Sequence, residues 1–165
     1  MTAAKAVASA TKKTSAQAVS KKVPSKKGSS SKAVKGAPVA HGVGRRKSSV
    51  ARVWLRKNGR GVIMVNNRAY DDYFDTVNTR KSVKFPITIV PAASGYDVEV
   101  NVKGGGSTGQ ADATKLAIAR ALLAVNPDVR PLLREKGFLT VDSRVVERKK
   151  PGQRGARRKF QFVKR

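Results

Sequence analysis

Residues 148–165, RKKPGQRGARRKFQFVKR, contain no acid; half of them are Lys or Arg, and Pro151, Gly152 and Gly155 interrupt any helical or strand period. Such a segment cannot bury enough apolar surface to offset its ordering entropy, so it is expected to stay extended until it meets a polyanion. Residues 1–40 are equally unsuited to a core, being Ala, Lys, Ser, Thr, Val and little else, with no acid and no aromatic. They are expected to form a disordered Lys-rich arm that adds nonspecific phosphate binding. A transit peptide is the competing reading, weakened because the first Arg is Arg45. Any core must therefore be built from residues 41–141, with residues 142–165 as an extended basic tail.

Charge indicates the partner. A formal net charge of +26 on 165 residues would repel itself in an isolated globule, so a large polyanion is implied, with nucleic acid ahead of an anionic membrane. No broad apolar face suits an interfacial helix, and no apolar run is long enough to span a bilayer. The absence of cysteine excludes disulfides, thiolate zinc ligands and a thiol nucleophile. The single His41, next to Gly42, leaves little for metal or acid–base chemistry and reads as a loop residue. In the tail, Phe160 and Phe162 sit among the cations, where they can stack on bases. Lys164 and Arg165 at the end of the chain can be threaded into a narrow site and touch phosphate.

Hydrophobic periodicity sketches an α+β domain. HGVGRRKSS at 41–49 reads as a Gly-loosened basic loop. It leads into VARVWLR, in which Ala51, Val53 and Leu55 alternate with Arg52, Trp54 and Arg56, a strand with one apolar and one cationic face. Asn58-Gly59 is a hairpin signal, with VIMV at 62–65 as the partner strand. Asn66-Asn67-Arg68 turns the chain into AYDDYF, whose Tyr70, Tyr73 and Phe74 share a helical face suited to the core. VKFPITIV at 83–90 and the cleaner alternation of Tyr96, Val98, Val100 and Val102 predict two more strands, the first an edge strand or bulged because of Pro86. From Gln110 to Val125 the period is helical and predicts the longest helix, packed on the sheet. Asn126-Pro127-Asp128 starts a second helix with Val129, Leu132 and Leu133 inward, ended by Gly137. Phe138, Leu139 and Val141 close the domain.

Gly104-Gly105-Gly106-Ser107-Thr108-Gly109-Gln110 joins a predicted strand to a predicted helix. It is not a Walker A loop, because Gln110 and Ala111 stand where Lys and Ser or Thr are needed. It matches G-x-G-x-x-G at Gly104, Gly106 and Gly109, but Asp128 opens a helix instead of ending a second parallel strand. Its physical content is a set of backbone N–H groups and a helix N-terminus beside Lys103, suited to an RNA phosphate.

GRRKSSVARV at 44–53, VKGGGSTGQADA at 102–113 and DSRVVERKKPGQRGARRKFQFVKR at 142–165 are long, collinear stretches in which the chain resembles the bacterial-type small ribosomal subunit protein S-nine family. The resemblance runs from about Gly44 to Arg165 and leaves the first 43 residues outside it. It implies a mixed sheet, four-stranded on the strands sketched above, with a left-handed βαβ crossover and helices on one side. It also implies a non-enzymatic protein without cofactor or small-molecule substrate, cytoplasmic and in the ribosome. There it would sit in the head of the small subunit, among rRNA and neighbouring ribosomal proteins. On this resemblance Arg148, Lys149, Lys150, Arg154, Arg157, Arg158 and Lys159 bind rRNA. Arg45, Arg46 and Lys47 form a second patch, to be read with Lys103, Gly104, Gly105 and Gly106. Lys164 and Arg165 approach the anticodon stem-loop of P-site tRNA. The rival from another class is a histone-like protein that compacts nucleic acid through residues 1–40.

Overall fold

The computed structural model describes residues 37–161; residues 1–36 of the predicted N-terminal arm and the Lys164-Arg165 tip lie outside them, while Pro38, Val39 and Ala40, assigned to the arm from sequence, open the first strand. Five strands form one mixed sheet: β1 (Pro38–Arg46), β2 (Ser49–Arg56), β3 (Ile63–Val65), β4 (Arg68–Ala69) and β5 (Asp97–Lys103). Four helices accompany it: α1 (Tyr70–Tyr73), α2 (Val77–Ile89), α3 (Ser107–Val125) and α4 (Arg130–Glu135). The spatial order is β1-β2-β5-β3-β4. All pairs are antiparallel except β3 with β5, which run parallel with Met64 opposite Glu99 and Val65 opposite Val100. A parallel pair cannot be closed by a tight turn. Here α1 and α2 make the connection.

Period-two alternation sorts β2 and β5 into two faces. Ala51, Val53 and Leu55, with Val98, Val100 and Val102, are buried, while Arg52, Asn101 and Lys103 between them are exposed. Among the described residues only the apolar face is roofed. Helix α3 lies across β1 and β2, burying Ala113, Ala117, Ile118 and Ala121, and α2 packs beside it. Phe74, Val83 and Leu133 complete the core, each withdrawn from water. Full burial of side chains of this size stabilises by about 1.5–3 kcal/mol each.

Several sequence expectations need correction. VKFPITIV is not a strand but the second half of α2: Thr79, Val83 and Pro86 are buried at helical spacing and Phe85 points out, half exposed. Pro86 is thus inside a helix, not on a sheet edge. The stretch 41–46 is not a loop but most of β1, and His41 is a strand residue whose ring lies against Trp54 with centroids 5.3 Å apart. VIMV does not pair with β2, because β5 inserts between them. The predicted four-stranded sheet therefore loses one strand and gains β1 and the two-residue β4. Leu132, expected inside, is 36% exposed, and only Leu133 of that pair is buried.

The remaining elements follow the sequence. Helix α3 begins three residues before Gln110, because Ser107-Thr108-Gly109 already wind into its first turn. Pro127 sets a short 3-10 turn before α4, and Gly137, at φ +69°, ends that helix. No helix among the described residues is long and apolar enough to cross a membrane.

Candidate nucleic-acid interface

Two cationic loops and the root of a cationic tail occupy the end of the sheet where β1 turns into β2 and β5 runs into α3. The first is the β1–β2 turn. Lys47 takes a left-handed conformation, φ 54°, which closes the turn with Ser48, and both Arg45 and Lys47 are exposed. Arg46 is placed differently. Its guanidinium makes a 2.8 Å ion pair with Asp142, donates to the Arg144 carbonyl at 2.6 Å and lies 3.9 Å from Asp112. The sequence grouped it with a phosphate-binding patch; the fold brings it to the root of the tail.

The second feature is the Gly-rich loop. Gly104 and Gly105 have φ +73° and +66°, and a Cβ on either would overlap Ser48 or Ser49. Beneath the loop Ser49 is fully buried, and its Oγ has no hydrogen-bond partner. Gln110 holds the loop to the domain, donating to the Gly104 carbonyl at 3.0 Å and accepting from the Tyr73 hydroxyl at 2.8 Å. Lys103, Gly104, Gly105 and Gly106 are exposed. Beyond them the first-turn N–H groups of α3 have no intrahelical acceptor, and the positive end of the helix dipole points the same way.

The third feature is the tail. Asp142 ties down its root, accepting from the Arg144 guanidinium and main-chain N–H at 2.7–3.1 Å as well as pairing with Arg46. The Arg144 hydrogen bonds, aided by the Arg46 charge, hold the Asp142 carboxyl well below the usual carboxylate range. Residues 141–150 carry no regular structure. At Pro151-Gly152 the chain then doubles back: Arg154 N–H donates to the Arg158 carbonyl at 2.9 Å, and Gln153 bridges to Lys159. Glu147, the last acid, closes this loop on Arg157, whose hydrogen bond lowers the Glu147 pKa. The result is an open concavity of about 500 Å³ lined by Arg148, Lys150, Arg157 and Lys159. Lys149, Arg154 and Arg158 are also on the tail; Lys149 is exposed and the Arg154 guanidinium lies 5.4 Å from the Phe160 ring centre. Phe160 is 46% exposed, and Phe162 lies outside the described residues.

The anchor of the tail escaped the sequence reading. Arg46, Asp112 and Asp142 lie far apart in the chain, and no local pattern joins them.

No group of three or more His, Cys, Asp or Glu among the described residues is placed to hold a metal. A small α+β domain that displays exposed cations from two loops and a tail among its described residues defines a class: a basic protein suited to a polyanionic partner. The family follows from comparison. The model of the ribosomal protein S9/S16 family matches residues 44–165, and the chain belongs to that family. It is a structural ribosomal protein and not an enzyme. The small ribosomal subunit protein uS9 of Cytophaga hutchinsonii is 52% identical over 127 residues, which is 77% of this chain and 98% of that protein. The protein of the same name from Porphyromonas gingivalis is 50% identical over 123 residues, 74% of this chain and 95% of its own. The protein uS9m of Arabidopsis thaliana is 49% identical over 126 residues, 76% of this chain but 29% of that longer protein.

Proposed function

We propose that the chain is a constituent of the small ribosomal subunit that organises rRNA in the subunit head and places its C-terminal tip near P-site tRNA. The observation that carries this reading is the division of labour among its cations. Arg46 and Arg144 are spent on Asp142 and fix where the tail leaves the domain. Arg148, Lys149, Lys150, Arg154, Arg158 and Lys159 beyond that point make no ion pair with any described acid. Together with Arg157, which Glu147 holds beside them, and with Arg45, Lys47 and the Lys103–Gly106 loop they form the rRNA-binding set, and Arg46 belongs to it as the residue that sets its geometry. Lys164 and Arg165, at the far end of a fixed tail, contact tRNA phosphates. Neighbouring ribosomal proteins of the head are the remaining partners. The residues before β1 act as a Lys-rich arm, residues 38–141 as the domain and residues 142–165 as the tail. We take the β3–β5 crossover to be left-handed, as the family resemblance implies.

The test separates tip from tail. Replacing Lys164 and Arg165 with Ala is expected to leave subunit assembly intact. Retention of P-site tRNA should weaken by about 1–3 kcal/mol at most, the scale of lost charged hydrogen bonds. Failure of head assembly with unchanged tRNA affinity would overturn this assignment. A photoreactive residue in place of Phe162 should crosslink to small-subunit rRNA and to tRNA anticodon arms. Crosslinks scattered over mRNA or DNA would remove the decoding-site placement altogether.

A further inference from the structure

The face of the sheet opposite α3 is not covered by any described element. Its rows run across the strands in register: Arg45, Val50 and Lys103; then Val43, Arg52 and Asn101; then His41, Trp54 and Glu99. Val43 and Val50 are 39% and 42% exposed at the centre of this surface. Its charge is polarised. Toward the β3 side the acids are engaged, Glu99 by Arg56 and Asp97 by the Arg60 and Val62 amides at 2.8 and 3.0 Å. Toward the Gly-rich loop Arg45, Arg52 and Lys103 form no ion pair with any described residue. Between Arg52 and Lys103 lies a concavity of about 380 Å³, also lined by Ser48, Val50, Asn101 and Gly104. One row along the same strand the half-buried Trp54 ring leans on His41, with the two planes inclined at 44°.

We infer that this open sheet face is a binding platform for single-stranded RNA, with a backbone phosphate held between Arg52 and Lys103 and a neighbouring base stacked on the Trp54–His41 pair. The inference rests on the reading of the chain as an rRNA-binding protein and adds a site to it. Successive residues on one face of a strand are about 6.6 Å apart. Arg52 and Trp54 therefore stand one such step apart, a spacing that an unstacked nucleotide can bridge from its phosphate to its base. Asn101 supplies an amide beside the concavity, donor and acceptor at once, able to meet a base edge. Aromatic rings on a sheet with cations around them suit splayed single strands, because stacking needs an exposed base face that a duplex does not present. The unpaired positive charge selects a polyanion over an apolar or basic protein surface.

Trp54 is the single tryptophan of the chain, so its emission reports this face directly. The experiment titrates the full-length protein with a labelled single-stranded oligoadenylate, following label anisotropy for all binding and tryptophan emission for the platform. Binding is expected to quench Trp54. The double variant Arg52→Gln, Lys103→Gln is expected to lose at least tenfold in the affinity read by quenching. Its salt slope should fall by about 0.7 for each phosphate contact removed. Both side chains are exposed, so the fold should be retained, with an unchanged circular dichroism spectrum as the check. Saturating anisotropy with unaltered Trp54 emission and a wild-type response from the variant would overturn the platform and leave rRNA binding by the tail standing. Absence of any anisotropy change would remove both. Equal quenching by a duplex of the same length would also overturn it. So would a photoreactive group at Val50 that crosslinks in assembled subunits to protein and not to rRNA.

Discussion

Gly42 and Gly44 are the residues on which the packing of β1 depends. Both are buried on the inner face of β1, and a Cβ on Gly42 would overlap the Ala117 carbonyl, on Gly44 the Ala113 carbonyl. Opposite them α3 presents Ala113, Ala117 and Ala121, one small residue per turn, so helix and strand approach backbone to backbone. The obstructing atoms are main chain and cannot rotate away. Gly44→Ala should therefore cost about 1–3 kcal/mol, the usual range for forcing an extra carbon into a packed core. Urea denaturation checks this: the midpoint should fall with the slope unchanged, and a loss under about 0.5 kcal/mol would mean that α3 slides without strain. From the sequence these glycines read as loosening a basic loop. Their actual use is a close approach, a demand made by a helix some seventy residues away, which no local window contains.

The parallel pair of β3 and β5 is short, three residues of β3, and it is prolonged by a side chain. Asn66, at φ 47°, accepts from the Val102 N–H at 2.9 Å and donates to the Val102 carbonyl at 3.0 Å, while its own N–H reaches the Val100 carbonyl. Its amide thus imitates the next backbone rung of the ladder. Asn66→Ala would strip partners from two groups of β5 and put a less tolerant residue in the left-handed region. A loss of about 2–4 kcal/mol is expected. Hydrogen exchange should show Val102 losing protection beyond its neighbours, and uniform loss along β5 would contradict the local role. At this scale the sequence was legible where one period dominates. Strands β2 and β5 have one face buried, and α3 carries its stripe over nineteen residues. The stretch 83–90 misled because an eight-residue window with Val, Phe and Ile at alternate positions fits a strand. The helical spacing appears only when Thr79 is included. Strand order was not legible at all, since β5 enters between β2 and β3 from more than thirty residues downstream. The candidate site divides in the same way. Clusters of cations are written in the chain, but whether a given Arg faces solvent or, like Arg46, an acid depends on tertiary contacts.

Across the whole molecule the +26 charge acts in opposite senses on the free protein and on its complex. Free, the cations repel one another over distances that salt screens, about 10 Å at 0.1 M, so raising the salt concentration should stabilise the fold. Among the described residues the internal ion pairs that salt would weaken are few, and those of Lys136 with Glu135, Arg144 with Asp142 and Arg157 with Glu147 have an exposed partner, so each contributes little. Each kcal/mol of relieved repulsion should raise Tm by about 4–8 °C for a domain of this size. Bound to RNA, the same cations displace condensed counterions, and with 6–10 phosphate contacts the affinity should fall by about 10³–10⁵ between roughly 50 and 200 mM salt. The two trends must be measured on one preparation, Tm by calorimetry without RNA and affinity by anisotropy with an rRNA fragment. A Tm that falls as salt rises would show that the Arg46–Asp142 and Arg56–Glu99 pairs outweigh the net repulsion. An affinity insensitive to salt would show that phosphate neutralisation is not what holds the RNA. If both trends appear, the charge that destabilises the free chain is what drives its assembly. The protein then reaches its full stability only where rRNA phosphates neutralise its loops and tail.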